Sequence, residues 1–535
     1  SIQKVGNFIY FLNAFKYMIN IPIISSFIRR HNRDRIRGIW RGYRSLKRSG
    51  KLELLRQLKD VLTKTKLNNT SLSKSFFCQG SFDIELSIRQ YLTVRILGLS
   101  FNKSILYSAG SNKSLSHPLP KEWRDALISQ GVNVNKFNSA FLWHVYGFLF
   151  WARGVLSEVK SIFFLLKKQP NLGKYIYFDG LSDNNISANP NRHNIANWYL
   201  QWKNRNTEIN SICHSISGMS DFKLDKVDFV RTDGLPKLRR AKLMKYVGSF
   251  ICIVIYSFIW LFFKPAYGFL LRESIKLKRV GLANDADLAR DYLFNGSSPY
   301  YRPIWTYMAE DKGSRILFYE YSTNTADFKT KNGYPIQEPW HLMSWPHYLV
   351  WNKFHVDFFM RSDQHNSVIE NVGHIWFSSS GKCADIPLNS IAVFDVPPSK
   401  FAIYMYSSEY YNYNVVNQFL SDVQLVLNKN NIGMVHKSKR TKKFEHKRYV
   451  RRIRQLSKEL NFIKIYPDVD ALQVIQKTKA CISMPFTSTA IIAKQEGKPS
   501  AYYDPSGTIQ KDDRAAHDIP VLSGINELED WVKSL

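Results

Sequence analysis

The chain has 535 residues, and at roughly 150 residues per domain it holds several domain-sized units with room for large hydrophobic cores. A composition of 44% hydrophobic, 22% charged and 14% aromatic residues excludes a disordered chain. Lys and Arg number 75 against 43 Asp and Glu, a net charge of +32, which calls for an anionic partner such as nucleic acid, a phosphorylated substrate or an acidic membrane surface.

The five cysteines, Cys78, Cys213, Cys252, Cys383 and Cys481, are scattered and form no C-x-x-C pair. That speaks against a disulfide framework or a zinc ribbon and fits a reducing cytoplasm. Ser1 to Asn20 are partly apolar without a small-residue cleavage site, so no secretory signal is expected. From Arg29 to Lys59 twelve Lys and Arg stand against Asp34 and Glu53, mixed with Ile36, Trp40, Tyr43, Leu46, Leu52 and Leu55. This predicts a basic amphipathic helical region, either lying on an anionic bilayer or packed on the protein with a solvated basic face.

Phe141 to Trp151 is an aromatic-rich run, and Tyr246 to Phe263 is eighteen residues without a charge, bracketed by Lys245 and Lys264. The second is just long enough to span a bilayer. The strand-like segments before it (Tyr175 to Asp179) and after it (Arg315 to Glu320) read as parts of one sheet, so a monotopic helix or re-entrant hairpin is expected rather than a single crossing. A buried core helix is the alternative.

From about Lys174 short apolar or β-branched runs recur: Tyr175–Phe178, Val227–Val230, Ile316–Tyr319, His374–Phe377, Ile391–Phe394, Ile432–Val435, Phe462–Ile465, Ala480–Ser483 and Ser500–Tyr503. Helical stretches separate the later ones, at Tyr413–Leu427, Phe444–Leu460, Ala471–Lys479 and Thr489–Gln495. Such alternation predicts parallel sheets covered by helices. The polar segment Ser378–Asn389 reads as a linker. The expected organisation is a helical membrane-associated region over 1–170, an N-terminal Rossmann-like domain over 171–388 with an apolar insertion at 246–270, and a C-terminal Rossmann-like domain over 389–535.

Ala480 to Pro505 carries the most chemistry. A strand to Met484, the loop Pro485-Phe486-Thr487-Ser488 and a helix from Thr489 put Thr487, Ser488 and Thr489 at a helix N-terminus, where free N–H groups and hydroxyls hold phosphate. Glu496, two turns on, is placed for ribose hydroxyls; an ordinary cap and an ordinary surface Glu are the plain alternatives. Before this, the strand end Met434-Val435-His436-Lys437-Ser438-Lys439-Arg440 offers His436, Lys437 and Lys439 to a phosphate leaving group, and His436 can donate a proton to it. Asp395 ends the first strand of the C-terminal domain, and Asp179 and Glu320 end strands of the N-terminal one. Each is a candidate nucleophile, base or sugar-binding carboxylate, with a turn-capping role as the alternative for Asp395. The triplets Asp285-Ala286-Asp287 and Asp468-Val469-Asp470 are short enough to arise by chance, and the latter reads as a helix start with an N-cap. No Walker loop, H-E-x-x-H or G-x-S-x-G occurs, no metal cofactor is expected, and no RNA- or DNA-binding motif accompanies the charge.

Pro485-Phe486-Thr487-Ser488, with Phe318–Asn324, Trp340–Trp351 and Val372–Phe377, resembles the bacterial polysaccharide biosynthesis PFTS-motif proteins from about Lys174 onward. More distantly, the basic His-containing strand end and the hydroxyl-rich helix start resemble the CMP site of sialic acid and Kdo transferases, in which His-Pro stands where this chain has His436-Lys437. That likeness implies an α/β fold of GT-B type, with two Rossmann-like domains facing a cleft. It implies His436 and Lys437 near the phosphate, Ser488 and Thr489 on CMP, and Asp395 as a catalytic Asp. The expected function is a glycosyltransferase of bacterial surface polysaccharide synthesis, moving an acidic ulosonic-type sugar from a CMP donor to a lipid-linked glycan at the cytoplasmic face of the inner membrane. A UDP- or GDP-sugar transferase and a noncatalytic membrane-bound assembly scaffold are the alternatives.

Overall fold

The structure is a computed structural model and describes residues 22–48, 52–67, 84–99, 101–166, 172–181, 198–199, 202, 209–216, 220–224, 226–296, 301–320, 328–329, 333–334, 343–362, 367–375, 385–398, 410–437, 446–467 and 469–535. The chain divides into two compact units, one of Ser1–Lys160 with Phe250–Ser274, the other of Ser161–Ser249 with Ile275–Leu535.

The first unit is helical. It contains α1 (Pro22–Arg48), α2 (Leu52–Lys64), α3 (Ile84–Gly98), α4 (Phe101–Ser111), α5 (Lys121–Ser129) and the larger parts of α6 (Lys136–Leu166), α7 (Arg240–Leu261) and, at its start, α8 (Ala266–Leu282). The basic segment expected to be amphipathic forms α1 and α2. Ile39, Leu46 and Leu55 are buried, while Arg33, Arg37, Arg41 and Arg44 are exposed. Small residues set the spacing of these helices, as where helix backbones touch. A Cβ on Gly42 of α1 would lie 1.7 Å from the Leu106 carbonyl oxygen, and one on Gly110 of α4 would lie 1.9 Å from that of Gly38. At the crossing of α6 and α8 a Cβ on Gly268 would meet the Gly147 carbonyl at 2.0 Å, and Trp143 and Phe150 stack on Phe269 at 4.7 and 4.6 Å. Helix α7 lies against α6 through Trp151, whose indole donates to Ser257 at 3.0 Å.

The second unit holds two sheets. The first has eight strands, β1 (Tyr175–Phe178), β2 (Ser211–His214), β3 (Phe222–Leu224), β4 (Val227–Arg231), β5 (Asp291–Gly296), β6 (Arg315–Glu320), β7 (His347–Val350) and β8 (Val368–Asn371), in the order β3-β4-β2-β1-β5-β6-β7-β8. Only β3 is antiparallel to its neighbour. Strands before and after α7 in the chain, β1 and β6, lie in one sheet as expected, joined by β5, which pairs directly with each. A single crossing of a bilayer by α7 would put hydrogen-bonded strands on opposite sides of it. Around this sheet are α9 (Trp305–Asp311) and α10 (Lys353–Arg361), the latter capped by Asn352, which accepts from the amides of Phe354 and His355.

The second sheet has six parallel strands, β9 (Ser390–Phe394), β10 (Gly433–Lys437), β11 (Phe462–Ile465), β12 (Ala480–Ser483), β13 (Ser500–Asp504) and β14 (Val521–Ser523), ordered β11-β10-β9-β12-β13-β14. Its helices are α11 (Tyr413–Lys429), α12 (Lys447–Leu456), α13 (Ala471–Lys477), α14 (Ser488–Gln495) and α15 (Gly524–Lys533). Period-two alternation splits β9 between two cores. Ile391 and Val393 pack with Val416, Phe419 and Leu528, whereas Ala392 and Phe394 pack with Leu472, Ile475 and Ala490. Burial on both faces explains the continuous apolar strands. In chain order the strands run 3-2-1-4-5-6, the doubly wound order, whose direction reverses between β9 and β12.

One expected strand is absent: His374 and Ile375 are irregular, and the strand before them, β8, ends three residues before His374. After that strand Ile375 is buried, and its amide donates to the Tyr319 hydroxyl at 3.1 Å. Trp376 and Phe377 lie outside the described residues, as do Cys78, Cys383, Ser438–Arg440 and most of the expected linker.

Candidate functional site

Segments that follow the carboxyl ends of strands in the two sheets meet. Phe328, after β6, stands edge-on to Phe486, after β12, at 4.9 Å. The carbonyl of Trp351, after β7, accepts from Gln495 at 3.1 Å. His374, after β8, lies 3.6 Å from Glu496, and Arg514, after β13, pairs with Asp357 at 2.6 Å. In open parallel sheets the carboxyl ends at the reversal of strand order are where ligands bind. Here that point is flanked by Asp395 on one side and the Pro485–Ser488 loop on the other.

Asp395 directly follows β9, and His436 is the penultimate residue of β10, opposite Val393 in the register. The register therefore brings the two side chains together, with His436 Nε2 3.3 Å from Asp395 Oδ1 and both side chains fully buried. The imidazole also stacks on Phe462 of β11 at 5.7 Å. The ring is packed between this carboxylate on one edge and an aromatic on its face, and neither its nitrogens nor the Asp395 oxygens make a hydrogen bond among the described residues. In this arrangement His436 stands beside Asp395 in the interior rather than presenting itself at an open surface. Lys437 beside it is buried as well, and it bears electrostatically on Asp470, whose carboxyl burial pushes up and Lys437 pulls down. Lys439 lies outside the described residues.

On the other side of the reversal, Met484 donates its amide to the Phe394 carbonyl at 2.9 Å, which fixes the loop to β9. Phe486 takes the left-handed conformation, φ +59°, that non-glycine residues avoid. Its ring is buried against Phe328 and Tyr502, while the flanking carbonyls are taken by hydroxyls, that of Pro485 by Tyr411 at 2.6 Å and that of Thr487 by Tyr502 at 3.0 Å. Thr487 occupies the N-cap of α14, yet its hydroxyl donates to Met484 O at 3.0 Å and makes no cap. The Thr489 hydroxyl points back to those of Ser483 and Thr487, at 3.0 and 3.3 Å. Ser488 is the first residue of α14 and half-buried. The first-turn amides of α14 therefore keep their positive ends without a threonine side chain across them, the condition for holding an anion.

Glu496 closes α14 at the other end, about 12 Å along the axis from Ser488. Its carboxylate accepts from Gln476 Nε2 at 3.0 Å and lies near His374, after β8. In the first sheet, Asp179 follows β1 and accepts from the hydroxyls of Tyr177 and Ser215, both at 3.2 Å. Glu320 ends β6 fully buried, with its carbonyl accepting from the Trp351 indole at 2.8 Å. The structure thus joins Asp395 to His436, and Thr487 to Thr489. Asp179 and Glu320 each sit in their own setting at the ends of first-sheet strands.

Sequence reasoning passed over Asp504, the last residue of β13. It is fully buried and accepts from Tyr410, from the amide and hydroxyl of Ser506 and from the Ile509 amide. Burial first, then this carboxylate, pushes the Tyr410 phenol far up. The signal was Asp504-Pro505-Ser506-Gly507, a turn motif directly after a strand. Among the described residues no three His, Cys, Asp or Glu side chains are grouped so as to hold a metal ion.

A family model described as polysaccharide biosynthesis PFTS motif protein matches residues 254–532. No curated protein matches the chain. Solved structures with a similar course include the wall teichoic acid polymerase TagF, at 11% identity and TM-score 0.35 over 73% of this chain and 88% of that one. A glycosyltransferase from Rickettsia africae gives 10% and 0.34 over 68% and 88%. The UDP-GlcNAc 2-epimerase from Methanocaldococcus jannaschii gives 9% and 0.34 over 67% and 90%. Scores this low leave the chemistry of this chain to its own residues.

Proposed function

Because this chain belongs to the polysaccharide biosynthesis PFTS motif family, we propose that it is a glycosyltransferase of polysaccharide synthesis that binds a nucleotide-activated sugar at the carboxyl edge of its second sheet. The observation that carries the reading is the pairing, at the reversal of strand order, of an uncapped helix start at Thr487-Ser488 with the buried Asp395–His436 pair. The donor phosphate binds the first-turn amides of α14 and the Ser488 hydroxyl, and Lys437 adds cationic potential behind it. His436 holds Asp395 at the floor, where the carboxylate stabilises positive charge developing on the sugar or attacks its anomeric carbon. From the first sheet, Asp179 or Glu320 takes the proton of the acceptor hydroxyl. Metal is not needed for these steps.

The donor is read as a CMP-activated acid of ulosonic type. A basic strand end beside a hydroxyl-rich helix start supports that choice, and a UDP or GDP sugar would use the same helix end. The acceptor is a lipid-linked glycan, and the enzyme works at the cytoplasmic face of the membrane, held there by its basic and apolar helices. Calorimetric titration with CMP, UDP and GDP tests the donor. CMP should bind most tightly, and Ser488→Ala should weaken it about tenfold, the effect of losing one charge-assisted hydrogen bond. Asp395→Asn should keep nucleotide binding and lower turnover at least about a hundredfold. A protein that binds none of the three nucleotides is the scaffold of the alternative reading, and a UDP or GDP preference changes the donor alone.

A further inference from the structure

The helical unit contains a cavity of about 320 Å³. Lys121, Arg124, His144 and Lys264 line it against a single acid, Glu122, and Trp143 and Phe263 close its apolar side. Lys121, Arg124 and Lys264 outnumber the one carboxylate here, and burial and then Arg124 hold the His144 imidazole below its ordinary value. Helices α5 and α8 both start at the cavity behind Pro120 and Pro265, adding the positive ends of their peptide dipoles to the side-chain charges.

What adjoins the cavity is apolar and uncovered. Phe263 is itself 75% exposed. It continues a stripe on α7 made of Ile251, Ile255, Phe258 and Ile259, spaced to fall on one side of a helix, with Phe262 just past the helix end, all exposed. On α6, packed against α7 through Trp151 and Phe258 at 5.1 Å, the exposed residues Phe137, Phe141 and Phe148 repeat the pattern. Only 22% of the apolar window of α7 is buried, unlike a core helix. Two apolar stripes on adjacent helices form a patch of the kind that marks an interaction surface, and Lys264 beside Trp260 is the pairing found at a membrane interface.

We propose that this cavity binds the phosphate headgroup of a membrane lipid whose chains lie along the exposed face of α6 and α7. The inference deepens the membrane side of the function proposed above and rests on it. Apolar burial holds the unit in the plane of the bilayer, and the cations select the headgroup, each Lys or Arg near an anionic surface adding to the preference. Such a site brings a phosphate-bearing lipid to the protein without engaging the second sheet.

The test uses the full chain with sedimented vesicles of phosphatidylcholine, alone or with phosphatidic acid, and inorganic phosphate in solution. The protein should bind both vesicles, with roughly tenfold or greater preference for those holding phosphatidic acid. Replacing Lys121, Arg124 and Lys264 by Gln should remove the preference and leave binding to phosphatidylcholine intact. The exposed Lys121→Glu should lower the preference by itself, which covers the case of a misfolded triple variant. Ile255→Glu with Ile259→Glu should abolish binding to both. Equal binding of the two vesicles by the unaltered protein overturns the proposal, as does a full preference retained by a folded triple variant. Inorganic phosphate bound as tightly as the lipid overturns the lipid as the ligand. No vesicle binding at all defeats the membrane reading underneath.

Discussion

Phe486 puts two opposing terms at one residue. Its buried ring is worth about 3–5 kcal/mol against alanine, while its left-handed backbone, φ +59°, costs a non-glycine residue about 1–2 kcal/mol. Phe486→Ala loses the ring and keeps the strain, whereas Phe486→Gly loses the ring and relieves it. The glycine variant should therefore be the more stable of the two by about 1 kcal/mol, the reverse of the usual order, as read from urea midpoints. Equal midpoints, or a lower one for glycine, would show that the loop does not hold this conformation in solution. The same residue shows what a sequence discloses. Pro485-Phe486-Thr487-Ser488 was legible as a strand-to-helix loop from the apolar run before it and the hydroxyls within it. The turning of Thr487 away from the cap was not, because it depends on a backbone angle one residue earlier. Asp395 and His436 were each legible as strand-end residues, but their contact follows from the parallel register of β9 and β10, which no local pattern encodes.

At the scale of elements the helix contacts give a test in opposite directions. An alanine at an ordinary helix glycine stabilises by about 0.8–1 kcal/mol because it removes chain entropy from the unfolded state. Gly248 in α7 has nothing within 4 Å of an added Cβ, so Gly248→Ala should raise stability by about that amount. Gly42 in α1 has the Leu106 carbonyl 1.7 Å from that position, so Gly42→Ala must push α1 from α4. It should lower stability by about 1–3 kcal/mol, the usual penalty of overpacking. Thermal unfolding with proteolysis of the helical unit separates the two; stabilisation by both would mean that α1 and α4 do not touch. The central strands of the second sheet and helices α11 to α14 were legible from periodicity: β11 and β12 match their expected spans, and Asp470 caps α13 through the Leu472 amide at 2.9 Å. Strands β2, β3, β5, β7, β8 and β14 were missed. All but β5 run only three or four residues, and β5 ends in Asn295-Gly296, which reads as a turn. At its other end Asp291 is buried by Arg315 and Tyr199 from elsewhere in the chain, and partners so distant leave no local trace.

At the scale of the molecule, the second unit was legible as two sheets of alternating strands and helices, but not the contacts that join them. Among these is a buried pair of imidazoles. His355 of α10 and His517 of the loop after β13 lie 5.6 Å apart, with Asn352 on His517 Nδ1 at 2.5 Å and Phe354 against its ring. Lys494 donates to the His517 carbonyl, and Lys353–Asp518 and Arg514–Asp357 are the ion pairs nearby. Burial first and then Lys494 push His517 down to about 3, and burial with His517 pushes His355 well below its ordinary 6.5. Both rings are thus neutral when folded and take up protons near pH 6.5 when unfolded. Their contribution is complete above that pH and is lost as pH falls, by about 1.4 kcal/mol per pH unit for each group until its folded value is reached. Amides of residues 352–355 and 513–518 should therefore lose hydrogen-exchange protection between pH 6.5 and pH 4 before the centre of either sheet does. His517→Gln, which keeps a hydrogen-bonding side chain without the titration, should flatten that dependence. If protection at these residues is constant over this range in the unaltered protein, or falls equally in the variant, the two imidazoles do not govern how the sheets stay joined.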